Sequence, residues 1–247
     1  MKSLWNRITC PRGVLHAGRY AAIAQLPEGL DTLWLERIAR LHPGSGINEK
    51  ALRHVAEALL TYFDCLARTD KPCALPSLAA QVLWDAWADL DSAGLDRLRA
   101  HHFPSSADSN PPRSRAQWEE AIANCLLQAR AVAGMSPMTP ALPALFLLDQ
   151  QLALPGGHGW LISGGRIGYV KLDGRGLMSA VPNFPEVLTP AGMLLAGLVS
   201  AAAFNDFFAA AHAGSGFGGG DGGGGDGGGG GAGDGCGGDG GGDGGGD

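Results

Sequence analysis

"NEKALRHVAEALLTYFDCLAR", residues 48–68, decides the fold. Asn48 is a residue type that caps helix N-termini. Leu52, Val55, Ala56, Leu59, Phe63 and Leu66 then recur at helical spacing, so one face is continuously apolar. This predicts a long amphipathic helix at the centre of a core. On its N-terminal side, "DTLWLERIARL" (31–41) predicts a shorter helix with Trp34, Ile38 and Leu41 on one stripe, stopped by "HPG". On its C-terminal side, "KPCALPS" interrupts the pattern. Ser77 then stands as N-cap for a helix over 78–90, "LAAQVLWDAWADL".

A Ser- and Pro-rich loop (101–114) follows, and Ser114 with Gln117 matches a capping box. The helix it opens, "RAQWEEAIANCLLQARAVAG", turns Trp118, Ala121, Ile122, Cys125, Ala129 and Val132 inward and ends at Gly134. "PALFLLDQQLAL" (143–154) predicts a short buried helix. The period then changes to that of strands. Residues 158–181 carry a Gly164–Gly165 turn and a "DGRG" turn between apolar runs, which predicts a three-stranded meander. His158 and Gly159 read as turn residues before it. An apolar helical stretch spans 190–213.

The expected class is therefore mainly α, a helical domain with a small antiparallel β-meander and a disordered Gly/Asp-rich C-terminal tail. Its parts are 1–155 (helical), 156–213 (meander plus apolar helix) and 214–247 (tail). The 34-residue tail holds 24 Gly and six Asp but no Lys or Arg, so it carries the whole net charge of −6. The remaining body has 18 basic and 18 acidic residues. A neutral body lacks the basic footprint of a nucleic-acid binder. Beyond Phe217 the tail has no large apolar residue, so it cannot offset the entropy of ordering itself and reads as a flexible coil rather than a calcium-binding roll.

The five cysteines form no CxxC pair, which argues against a disulfide framework or a zinc ribbon. The opening "MKSLWNRITCPRG" lacks the apolar run of a signal peptide. A cytoplasmic protein with reduced thiols is expected. The stretch 190–213 approaches the length of a bilayer span, although Asn205 and Asp206 lie inside it, so membrane association stands as an alternative. No Walker A loop, HExxH or nucleophile elbow is present. "GSGFGG" (214–219) matches GxGxxG but lacks the strand and helix that a dinucleotide site requires.

Residues 73–104 carry "LPS", a Trp seven residues after that Ser, then "HH", then Pro two residues after the second His. With "HPG" (42–44) upstream and "LPALFLLDQQLALPGG" (142–157) downstream, this resembles the bacterial glycine-rich domain-containing protein-like family. Pro76, Ser77, Trp84, His101, His102 and Pro104 fit its pattern. The resemblance implies a helical fold and no defined reaction. The family pattern places an Asp and a His four residues apart, on one helix face, near "HH". Gln81 and Asp85 occupy those two positions here.

Asp85, His101 and His102 are accordingly the candidate metal ligands, for Zn or Fe, if the chain is a metal-dependent enzyme or metal binder. Against this, Gln81, Asp85 and Asp89 read as the solvated stripe of a helix that buries Leu83, Trp87 and Leu90, with Trp84 beside it. Trp34, Trp118 and Trp160 read as packing anchors, and Arg166 and Lys171 as residues that could contact an anion. The reading taken forward is a non-enzymatic interaction or assembly module with a protein partner and no cofactor.

Overall fold

The structure is a computed structural model, and it describes residues 26–43, 46–102 and 112–213. The tail, Pro104, Cys10, Cys236 and the side chain of His102 lie outside the described residues. Among those described are seven α-helices and one two-stranded antiparallel sheet. The helices are α1 (Leu30–Leu41), α2 (Glu49–Ala67), α3 (Leu78–His102), α4 (Arg115–Val132), α5 (Ala144–Gln151), α6 (Pro190–Leu195) and α7 (Ala201–Ala213). The strands are β1 (His158–Ser163) and β2 (Arg166–Lys171).

α2 is the central element, as its periodicity predicts. Asn48 caps it by accepting from the Lys50 N–H at 3.0 Å. Val55, Leu59, Leu60, Phe63 and Cys65 have no exposed surface. α1, α3, α4 and α5 all pack against it. One hydrophobic cluster runs from Leu30 to Met193 and includes Trp160, Ile167 and Leu188, so it crosses residue 155.

Several expectations need correction. The helix at Ser77 does not stop at residue 90 but continues to His102 across a bend, where Asp91 leaves helical geometry (φ −153°, ψ 76°). The Asp91 carboxylate accepts from the Gly94 N–H at 2.8 Å, so it caps a second helical half. A Cβ at Gly94 would lie 1.8 Å from that carboxylate, so only glycine leaves room for the cap. The bend carries Arg99 to within 5.7 Å of the Trp84 ring. In a straight helix at about 1.5 Å per residue these two would stand about 22 Å apart. Leu90 sits just before the bend and is exposed, as is Leu41 at the end of α1.

The meander is a hairpin, not three strands. Gly164 and Gly165 both have positive φ (55° and 73°), as a two-residue type I′ turn requires. They set the register that pairs Trp160 with Tyr169 and His158 with Lys171. In place of a third strand, Asn183 makes a single bridge to Tyr169. Pro182 and Pro185 flank that bridge, and proline cannot donate to a ladder. His158 belongs to β1 and is not a turn residue.

The apolar stretch 190–213 is two helices. Thr189 caps α6 through the Gly192 N–H, Gly197 breaks the chain at φ 63°, and Ser200 caps α7 through the Ala203 N–H. Among the described residues no helix is long and apolar enough to cross a membrane.

Candidate functional site

Asp85 is exposed on α3, and its Oδ1 accepts from the Gln81 side chain one turn earlier at 2.9 Å. Asp89, a turn later, pairs with Arg37 of α1 at 2.6 Å. The polar stripe is thus a solvated helix face tied to its neighbour. His101 lies beyond the Asp91 bend and lines a shallow depression with Trp87, Asp91, Gly94, Arg97 and Leu98. Asp85 does not line it. Among the described residues no group of three or more His, Cys, Asp or Glu side chains could hold a metal. Trp84 is half-buried in an aromatic cluster, edge-on to Phe63 at 5.4 Å and 5.7 Å from Tyr62. Its place in the motif is a packing role.

The motif segments around Ser77 and Asp149 meet in space. Asp149 of α5 is 1% exposed, yet its carboxylate takes four donors. Oδ1 accepts from the Ser77 hydroxyl at 2.6 Å and the Ala79 N–H at 3.0 Å. Oδ2 accepts from the Leu78 N–H at 2.7 Å and the His158 N–H at 2.9 Å. Two of these are orphan amides of the first turn of α3, where a negative charge is favoured. A buried carboxylate is tolerated only when paired in this way. Gly157 makes room for it, since a Cβ there would stand 2.8 Å from the carboxylate. The Trp160 indole N–H donates to the Pro76 carbonyl at 3.2 Å and completes the joint. This is a structural lock, with no oxygen left over for chemistry.

Three thiols, Cys65, Cys73 and Cys125, are free and buried near Tyr62. Burial, then bonding to Cys65 and Cys73, pushes the Cys125 thiol well up, so it stays protonated. Arg130 is 2% exposed and holds the Pro-rich link through the carbonyls of Pro137 and Ala141. Burial lowers its guanidinium to about 10, which still leaves it charged at neutral pH.

The feature with binding geometry lies where α4 begins beside the hairpin. It is an open groove of about 560 Å³ lined by Arg113, Arg115, Trp118, His158, Tyr169 and Lys171. Its wall is aromatic. Trp118 lies 5.4 Å from the His158 ring and 5.1 Å from Tyr169, edge-on to the latter. Trp160 and Phe146 support these rings from the core. Its rim is basic. Arg115 is neutralised by Glu119 at 2.9 Å, and the same Glu119 oxygen accepts from the Tyr169 hydroxyl at 2.8 Å and from Asn183 at 3.1 Å. That leaves Arg113 and Lys171 as rim cations in no ion pair among the described residues. Burial pushes the His158 imidazole below its ordinary value; Asp149 opposes this and Lys171 adds to it. The ring is therefore neutral at neutral pH, and its buried Nδ1 has no hydrogen-bond partner among the described residues.

Sequence reasoning passed over Asp149 and the groove. A lone Asp inside the apolar "LFLLDQQ" was a usable signal, because a buried carboxylate demands donors. The Gly164–Gly165 turn also places His158 opposite Lys171. The approach of Trp118 to the hairpin has no local signal.

The chain matches no protein-family model, no curated protein and no solved structure.

Proposed function

We propose that this chain is a non-enzymatic interaction module of the cytoplasm that engages a protein partner through the groove beside His158. The observation that carries the reading is the composition of that groove. Supported aromatic rings and two rim cations in no ion pair among the described residues sit on the hairpin and the start of α4. Interfaces are enriched in such aromatic and arginine anchors. The likeness to the glycine-rich domain-containing protein-like family supports the reading only as to scaffold. Its Pro76–Ser77 and Asp149 segments meet in the cap of α3, which does not include Arg113 or Lys171.

One set of preparations tests the proposal. Tagged wild-type chain and an Arg113→Glu/Lys171→Glu variant are isolated from the native cell, their bound proteins identified by mass spectrometry, and their metal content measured. The expected result is one identified partner at stoichiometric yield, absent from the groove variant and retained by an Arg53→Glu control on α2. Stoichiometric zinc or iron that disappears in Asp85→Ala would overturn the reading in favour of a metal centre at Asp85 with His101 or His102.

A further inference from the structure

We infer that the groove recognises an acidic peptide segment carrying an aromatic side chain, which defines the chemistry of the partner. The inference rests on the proposed module reading and adds to it what the partner presents. The rim supplies two cations, Arg113 and Lys171, while of the neighbouring carboxylates Glu119 is consumed by Arg115, Tyr169 and Asn183 and Asp149, behind His158, is taken up by its four donors. The net field at the mouth is positive on a body that is neutral overall, so a negatively charged segment is attracted.

Between the cations the wall is made of ring faces and edges. Trp118, His158 and Tyr169 form a contiguous aromatic surface that is half-buried, not sealed. A flat apolar side chain gains more on such a surface than an aliphatic one, because offset and edge-on ring pairs add to the area buried. The neutral His158 ring strengthens this choice. An imidazolium would repel the neighbouring Lys171, whereas the neutral ring stacks. Its buried Nδ1 has no hydrogen-bond partner among the described residues.

A volume of about 560 Å³ holds a ring with its flanking backbone. The chain's own tail supplies half of this chemistry. Its 218–247 portion has six Asp and no ring, so that portion is a built-in control for charge without an aromatic side chain.

The test is calorimetric titration of the full chain with four peptides at low and moderate salt. The first has a central phenylalanine between two acidic residues on each side. The second replaces the phenylalanine by alanine, the third replaces the acidic residues by serine, and the fourth is the tail segment 218–227. The first should bind, weaken as salt rises, and exceed the second and third by roughly tenfold each. Arg113→Glu/Lys171→Glu should lose roughly tenfold or more for the first peptide without a change in unfolding midpoint, because both side chains are exposed. Equal binding of the alanine peptide, equal binding to the charge-reversed variant, or no binding of the first peptide would overturn the inference. If those failures occur while the identified partner still depends on Arg113 and Lys171, the module reading survives and only the acidic-aromatic chemistry is lost.

Discussion

Asp149 is the residue on which the most backbone depends. Asp149→Ala would leave three amides and the Ser77 hydroxyl without an acceptor. At about 1–3 kcal/mol for each unsatisfied group, partly relieved by water, the expected loss is about 3–5 kcal/mol in urea unfolding. A loss under about 1 kcal/mol would show that the joint is not the lock described. His158 gives the second test at this scale. Its folded imidazole titrates below the ordinary value of 6.5 because of burial. As pH falls through 6.5, the unfolded chain takes up a proton that the folded chain refuses. Stability is therefore lost downward from there until the folded ring also protonates. Wild type should lose stability relative to His158→Gln as pH falls through 6.5, read as converging urea midpoints. Parallel losses would mean that His158 contributes nothing to the pH dependence. Neither residue was legible as what it is: Asp149 was passed over inside its apolar run, and His158 read as a turn residue although it opens β1. Their partners lie far along the chain, up to 72 residues for Asp149, beyond the reach of periodicity.

At the scale of elements, legibility follows the range of the interaction that sets each boundary. Asn48, Ser77 and Ser114 cap within three residues, so those helix starts could be read directly. The Gly164–Gly165 turn likewise fixes the hairpin register on its own. What was missed was the second half of α3: the predicted helix stops at residue 90, yet Asp91 caps a continuation whose first turn, Ser92–Ala93–Gly94, follows with no loop between. A double-mutant cycle tests the bend. Gly94→Ala alone forces the Asp91 cap apart and should cost about 1 kcal/mol, the usual value of an N-cap. In an Asp91→Ala background nothing is left to collide with, and the same change should be neutral or stabilising by up to about 1 kcal/mol, since alanine is the better helix former. Additive costs in chemical unfolding would refute the collision. The third strand failed for an equally local reason, since Pro182 and Pro185 leave room for only the Asn183 bridge.

On the scale of the whole molecule, charge and core are separated. The body balances 18 basic against 18 acidic residues, and the six Asp of 214–247 supply the net −6. A chain ending at residue 213 should therefore keep its unfolding midpoint but have its solubility minimum near neutral pH, whereas the full chain has it at lower pH. Unchanged solubility profiles would show that the tail charge has no colloidal effect. The core meanwhile is stitched by long reaches, with Asp149 closing on Ser77 and Trp160 on Pro76 across 72 and 84 residues. On the ribosome this has a temporal meaning. The first turn of α3 emerges with bare amides and must wait for some seventy further residues of synthesis before its acceptor exists. A nascent chain arrested near residue 140 should therefore leave the first turn of α3 open to protease, and its protection should appear only after Asp149 and the later core residues Leu188 and Met193 have emerged, as limited proteolysis of stalled chains would show.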